Sequence, residues 1–146
     1  AWTTSWTKAV ATADGLTSSV TSGSTAPVTS GGVYSALNTI SNYTITRVSS
    51  AISSTDLYTS CSSKNGICDV GISFHVSRAL GDGEKMFSGL PKAGWLTRFA
   101  IVGYNEGTST PSLFGNAGVN SDGEIEARGI ISAGHYYLHT SYIITD

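Results

Sequence analysis

The chain has 146 residues, which is enough for one domain with a smaller appendage. Only 12% of the residues are charged and the formal net charge is −2, so the basic stripe that a nucleic-acid partner requires is absent. No apolar run reaches the roughly 20 residues that a membrane-spanning helix needs, and we expect no membrane insertion. The few Lys and Glu residues, together with abundant Ser, Thr and Gly, predict mainly β-structure and loops.

The first 50 residues differ in composition from the rest of the chain. Only Lys8, Asp14 and Arg47 are charged there, whereas 21 of the 50 residues are Ser or Thr. Such a segment cannot form a globular core by itself. We therefore predict a fibre or stem segment over residues 1–54 and a head domain over residues 55–146, where the aromatic and branched residues are concentrated.

A narrow apolar stripe lies in the stem segment. Val33, Leu37 and Ile40 are four and three residues apart, which places them on one face of a helix predicted over residues 31–42. Little in the same segment could cover this stripe, so we expect three copies of the helix to wrap together, although a short helix packed on its own domain is the alternative. The predicted trimer interface comprises Val33, Leu37, Ile40, Ile45, Val48 and Ile52. Residues 44–48 could equally form a strand, because Thr and Ile favour one.

The segment Pro27 to Leu37, PVTSGGVYSAL, resembles a segment of bacteriophage tail-fibre and receptor-binding proteins. In those proteins the segment precedes a shaft or head domain of a homotrimer. The resemblance implies a short helical, coiled-coil-like trimeric stem, followed by a head that we expect to be an antiparallel, jelly-roll-like β-sandwich. It also implies a location in the virion tail, other phage tail proteins as partners, and assembly in the cytoplasm of a host bacterium.

The dipeptide Asn65-Gly66 gives the strongest turn signal of the chain. It suits a two-residue type I′ turn, in which both central residues have positive φ. The resulting register pairs Ser63 with Cys68 and leaves Cys61 diagonal to Cys68, roughly 7–8 Å away. A relaxed disulfide joins Cα atoms about 4.4–6.8 Å apart, so we predict two free thiols, as in a reducing bacterial cytosol. A wider turn would allow a disulfide.

Three segments are predicted to be long strands, and the first alternates cleanly between apolar and polar residues as a half-buried strand does. They are residues 68–76, 95–104 and 135–144. The middle segment is largely apolar on both faces, so we expect it to be central or at a subunit interface. The residues expected on the core side are Cys68, Val70, Ile72, Phe74 and Val76 in the first segment and Tyr136, Leu138, Thr140, Tyr142 and Ile144 in the third. The heavier face of the second segment comprises Trp95, Thr97, Phe99 and Ile101.

A second hairpin is predicted between Leu113 and Ala127. A two-residue loop at Asp122-Gly123 is one possibility, and a three-residue loop over residues 121–123 is the other. The longer loop pairs Val119 with Ile125. We predict the longer loop, because it separates core residues from solvent-facing residues consistently.

No enzyme is predicted from the chemistry-bearing residues. The chain has three histidines and none of the common hydrolase, metalloprotease or nucleotide-binding motifs. His75 is interpreted as a surface residue, and a strand does not bring His135 and His139 together as a helix would. We therefore predict no metal site and no cofactor, and the acidic residues fall mostly in turns.

With no enzyme predicted, we predict that the chain recognises a receptor. Binding proteins for glycans present aromatic faces and polar neighbours on the loops of a rigid β-scaffold, and residues 105–111 form a polar loop of suitable length. For each aromatic residue, packing in the core or at an interface is the alternative. The candidate receptor-binding residues are Trp95, Tyr104, Asn105, Glu106, His135 and Tyr137.

Three functions follow from this reading of the sequence. The first is a homotrimeric phage tail-fibre or receptor-binding protein that attaches the virion to a bacterial surface receptor, a glycan or a protein. The second is a purely structural shaft, collar or tail component without receptor binding. The third, which is disfavoured, is a tailspike enzyme that cleaves a surface polysaccharide.

Overall fold

The structure is a computed structural model that describes residues 39–145. The chain divides into two compact units, residues 1–39 and residues 40–146, and nearly all of the described residues belong to the second. This unit begins at Ile40, whereas the sequence placed the start of the head at residue 55. The difference arises because residues 41–54 form strands and bridges with the head. Val33, Leu37 and most of the helix predicted over residues 31–42 lie outside the described residues.

The described part of the chain is built from strands, and every strand pair is antiparallel. The sheet order is β1-β3-β4-β9-β6-β7-β8-β5-β2. Between residues 39 and 145 there is no helix with the length and apolarity that crossing a membrane requires. The strands are β1 (Ser41–Asn42), β2 (Thr46–Arg47), β3 (Tyr58–Lys64), β4 (Ile67–Val76), β5 (Lys85–Ser88), β6 (Thr97–Tyr104), β7 (Leu113–Val119), β8 (Ile125–Ala127) and β9 (Gly134–Ile143).

The sheet curls so that strands distant in the sheet order meet across a shared core. Phe74 on β4 contacts Phe87 on β5 edge to face, with ring centroids 5.2 Å apart, although four strands lie between them in the sheet. Phe74 also stacks on Tyr136 of β9 at 5.7 Å. All three rings are almost completely buried. The prediction of a mainly β, antiparallel head is therefore confirmed, and the curled sheet is consistent with the predicted β-sandwich.

Both predicted hairpins are confirmed in register. Asn65 and Gly66 have φ values of 54° and 77°, as a type I′ turn requires, and Ser63 pairs with Cys68. The two cysteines are buried and free, and their sulfur atoms lie 3.4 Å apart. In the second hairpin Val119 pairs with Ile125, as the three-residue loop predicts.

The face assignments of the first and third long strands are also confirmed. The inward sets of β4 and β9 lie in or against the core, and Ile101 of β6 is fully buried. Trp95 was placed on the heavier face of the second strand together with Ile101, but it precedes β6 and is 87% exposed. Alternation cannot be extended to a residue that lies before the strand begins.

Two residues of the predicted trimer interface belong to the core of the head. Ile45 and Ile52 are 7% and 0% exposed, so their side chains cannot contact another subunit, and this part of the prediction was wrong. The strand that was the alternative forms instead over Thr46–Arg47, which pairs with β5. Ile40 and Val48 are 58% and 47% exposed, so they remain candidates for an interface.

Candidate functional site

The outward side chains of three neighbouring strands form the candidate site. β9 lies between β4 and β6, and its residue His135 is directly opposite both His75 of β4 and Tyr104 of β6. Two residues along β9, Tyr137 lies opposite Val102 of β6. Since side chains two apart on a strand share a face, these residues project from the same surface of the sheet.

Tyr104, His135 and Tyr137 form a continuous surface that we call the aromatic patch. The rings of Tyr104 and His135 are stacked, with centroids 5.2 Å apart and planes 13° from parallel. Tyr104 and Tyr137 have centroids 5.9 Å apart, and their hydroxyl groups lie 3.4 Å from each other. The hydrogen bond to Tyr137, followed by partial desolvation, raises the pKa of Tyr104 above its ordinary value. The patch thus offers ring faces and hydroxyl groups together.

A glycine brings the strands of the patch together. Gly103 pairs with Tyr136 in the short β6–β9 ladder of three residue pairs. A Cβ atom at Gly103 would overlap the backbone oxygen of His135 and lie 2.6 Å from the ring of Tyr136. The close approach of β6 to β9 therefore depends on the missing side chain, and the spacing between Tyr104 and His135 depends on that approach.

A polar loop borders the patch on the β6 side. The chain turns after Tyr104, where Thr108 donates from its backbone N–H and from its hydroxyl to the carbonyl oxygen of Asn105 at 3.2 and 3.0 Å. Gly107, with φ of 77°, completes the turn. Val102, Tyr104 and Tyr137 line a cleft of about 290 Å³ together with Thr108, Ser109 and Pro111 of the loop. The lining combines apolar side chains with hydroxyl groups, as small-ligand sites often do.

Two further depressions adjoin the patch. One, of about 380 Å³, lies between Tyr58, Ser73, Tyr137 and His139, so Tyr137 separates it from the cleft described above. The other, of about 440 Å³, is lined by His75, Asn105 and Glu106 among others. The site is therefore a furrowed surface rather than one enclosed pocket.

The patch also continues into a row of mostly apolar residues that crosses five strands, with Ser73 as its polar member. The register places Tyr58, Ser73, Tyr137, Val102 and Phe114 side by side on β3, β4, β9, β6 and β7. Tyr58 and Phe114 are 75% and 73% exposed. Apolar surface that is contiguous and exposed marks an interaction surface more often than isolated exposed residues do.

Five of the six predicted receptor-binding residues come together. Tyr104, His135 and Tyr137 make the patch, and Asn105 and Glu106 begin the loop beside it. Trp95 does not join them. It lies beyond the opposite end of β6, and the seven residue steps from Thr97 to Tyr104 alone span about 23 Å at roughly 3.3 Å each.

Two other parts of the site were not predicted from the sequence. His75 was interpreted as a surface residue, but its ring lies 4.5 Å from that of His135 and its Nε2 atom is 3.6 Å from Glu106 Oε1. Val102 was placed on the same strand face as Tyr104, but without a role. Alternation predicted correctly that His75 and His135 point outward. It could not predict that β4 and β9 are neighbours in the sheet, which is what brings the two residues together.

Comparison with known proteins gives a similarity among solved structures. No protein-family model matches the chain, and no curated protein matches it. Among solved structures, the chain is similar to the head domain of the lactococcal phage bIL170, whose crystal structure was described in terms of a common fold for the receptor-binding domains of lactococcal phages. The TM-score is 0.51 and the identity 14%, over 70% of this chain and 97% of that one. The fold of this chain thus resembles that of a phage receptor-binding head domain.

Proposed function

We propose that the chain is a homotrimeric phage tail-fibre or receptor-binding protein whose head attaches the virion to a glycan on the bacterial surface. The observation that carries the proposal is the combination of this fold with the aromatic patch. Tyr104, His135 and Tyr137 present ring faces beside hydroxyl groups, and the polar loop borders them. The role is binding without catalysis, and the protein acts in the virion tail with other tail proteins as neighbours.

The geometry of the patch suits a sugar chain better than a deep-pocket ligand. A pyranose ring has an apolar face that stacks on an aromatic ring, and its hydroxyl groups need donors and acceptors at the edge of that ring. The patch offers these in the Tyr104 and Tyr137 hydroxyl groups and in the side chains of the loop that begins at Asn105. Three such heads on one fibre would raise avidity by about 10²–10⁴ over a single weak site.

Binding by the purified chain tests the receptor role. The probes are a glycan array and a panel of bacterial strains that includes lactococci, because the structurally similar head comes from a lactococcal phage. Tyr137→Ser should weaken binding about tenfold or more, since an aromatic contact of roughly 1.5 kcal/mol corresponds to about that factor. Trp95→Ser is the matched control, because Trp95 is also exposed but lies away from the patch.

Each outcome of this experiment separates the candidate functions. Equal loss in both variants, or no loss in either, would place the receptor site away from the patch. Absence of binding to any cell or glycan would favour the purely structural tail component. Release of reducing sugar from a bound polysaccharide would favour the tailspike enzyme.

The oligomeric state is tested separately by sedimentation of the full chain. A homotrimer has about three times the 15.1 kDa of one chain. Leu37→Asp places a charge in the predicted stem stripe and should dissociate the trimer without changing the β-rich circular dichroism of the head. A monomeric wild-type chain would refute the proposed trimer. If Leu37→Asp is still a trimer, the contact between subunits must be made by the head rather than by the stem.

A further inference from the structure

We propose that His75, His135 and Glu106 bind a divalent transition-metal ion of the zinc type at the edge of the aromatic patch. The two histidines come from directly opposed positions of β4 and β9. Their rings lie side by side, with centroids 4.5 Å apart and planes 31° from parallel. Opposed residues of an antiparallel pair project from the same face, so both imidazoles are held there by the sheet itself.

Glu106 supplies the third donor atom from a different element. It lies in the turn after β6, and its Oε1 atom is 3.6 Å from His75 Nε2. One ligand atom from each of the three side chains can be chosen so that all lie within 4.8 Å of one another. Tetrahedral zinc with bonds of about 2.0–2.1 Å requires donor atoms roughly 3.3 Å apart, so the widest of these separations must shorten by up to about 1.5 Å. The Glu106 side chain is 77% exposed and can make that movement.

The three side chains offer the donor atoms of a familiar kind of zinc site. Two neutral imidazoles and a carboxylate form the donor set of several zinc sites that keep one position open. Here the depression of about 440 Å³ beside His75, Asn105 and Glu106 leaves room for that fourth ligand. Water or an oxygen atom of a bound receptor could occupy it.

The donor atoms determine which ions fit. Imidazole nitrogen suits zinc, nickel and copper, whereas calcium takes six to eight oxygen atoms. The cluster contains one carboxylate, so calcium should bind weakly. This inference departs from the sequence-based prediction of no metal site. It stands independently of the receptor role, because it rests on the positions of three side chains.

Titration calorimetry with Zn²⁺ and the full chain tests the site. We expect about one zinc ion per chain and no detectable heat with Ca²⁺. Glu106→Gln and His135→Ala should each weaken zinc binding about tenfold or more, since loss of even a residue that only orients a ligand has an effect of about 10–100-fold. His139→Ala is the matched control. His139 also lies near a carboxylate, 3.7 Å from Asp69 Oδ1, but it is not one of the three proposed zinc ligands.

Binding of Co²⁺ in place of Zn²⁺ distinguishes metal binding at this site from metal binding at the cysteines. Cys61 and Cys68 are free thiols, and thiolate sulfur is a strong zinc ligand as well. Co²⁺ bound to nitrogen and oxygen gives ligand-field bands without the charge-transfer band of a thiolate complex. Stoichiometry well below one, equal affinity of Glu106→Gln and His139→Ala, or a thiolate charge-transfer band would each overturn the proposal. Glu106→Gln alters an exposed loop side chain, so its result does not depend on the variant's ability to fold.

Discussion

Acid should destabilise the head through Glu84, and Glu84→Gln should remove that part of the pH dependence. The Glu84 carboxylate accepts hydrogen bonds from both terminal nitrogens of Arg78 at 3.2 and 2.9 Å, from the Ser49 hydroxyl at 2.7 Å and from the backbone N–H of Gly81 at 3.2 Å. Arg78 first, then Ser49 and Gly81, lower the pKa of Glu84 from 4.5 to about 2.

The magnitude follows from linkage. At 1.36 kcal/mol per pKa unit, a change from 4.5 to about 2 corresponds to about 3.4 kcal/mol. The Glu84 side chain is 27% exposed and that of Arg78 is 56% exposed, so solvent screening reduces the expected contribution to about 1–2 kcal/mol. Because the folded pKa lies below the unfolded one, this stabilisation is fully present above about pH 4.5. It is lost as the pH falls to about 2.

Urea unfolding of the wild-type chain and Glu84→Gln at several pH values between 7 and 2 measures this difference. The variant should be less stable by about 1–2 kcal/mol at pH 7, and the two free energies of unfolding should converge near pH 2. Asp56→Asn is the control, because the exposed Asp56 carboxylate accepts a 3.4 Å bond from its neighbour Thr55 and is not held by an arginine. A constant gap between wild type and Glu84→Gln across the pH range would refute the electrostatic reasoning.

Three further predictions concern the core and the ladder beside the patch. Phe74→Ala should lower the free energy of unfolding by about 3–5 kcal/mol, because its buried ring contacts two other aromatic rings; a loss below about 1 kcal/mol in urea unfolding would contradict the packing. Gly103→Ala should destabilise by about 1–3 kcal/mol and also weaken cell binding, whereas an unchanged variant would show that the strands can separate without consequence. Burial, followed by a hydrogen bond to Cys68, raises the pKa of Cys61 to about 12. Because both cysteines are also buried, a thiol reagent at pH 7 should react with Cys61 and Cys68 only after denaturant is added. Rapid labelling of the native chain would contradict this prediction.

Local chemistry made much of the head predictable. The turn at Asn65-Gly66 fixes its register because few other dipeptides accept two positive φ values, and the register of the Val119–Ile125 pair follows from the loop length. Strand faces could be assigned because apolar and polar residues alternate with a period of two. These signals all operate within about ten residues of the chain.

The assembly of the site was less predictable because it depends on long-range pairing. His75 and His135 are 60 residues apart in sequence and directly opposed in the sheet. Alternation specifies which face a residue occupies, but it carries no information on which strand lies alongside. For the same reason, the spacing of Ile45 and Ile52 fitted a stem helix as well as it fitted the core of the head that buries both residues.

The core and the proposed binding surface lie on opposite faces of the same strands in this head. Tyr136 is buried and its neighbour Tyr137 is 55% exposed, and the same relation holds between the buried Phe74 and the outward His75. Since the faces alternate residue by residue, outward substitutions should alter binding with little effect on stability, and inward ones should do the reverse. Gly103 is the exception, because a side chain there would strike the core ring of Tyr136 and also separate the strands that carry the aromatic patch. Stability and binding should therefore change together at this position.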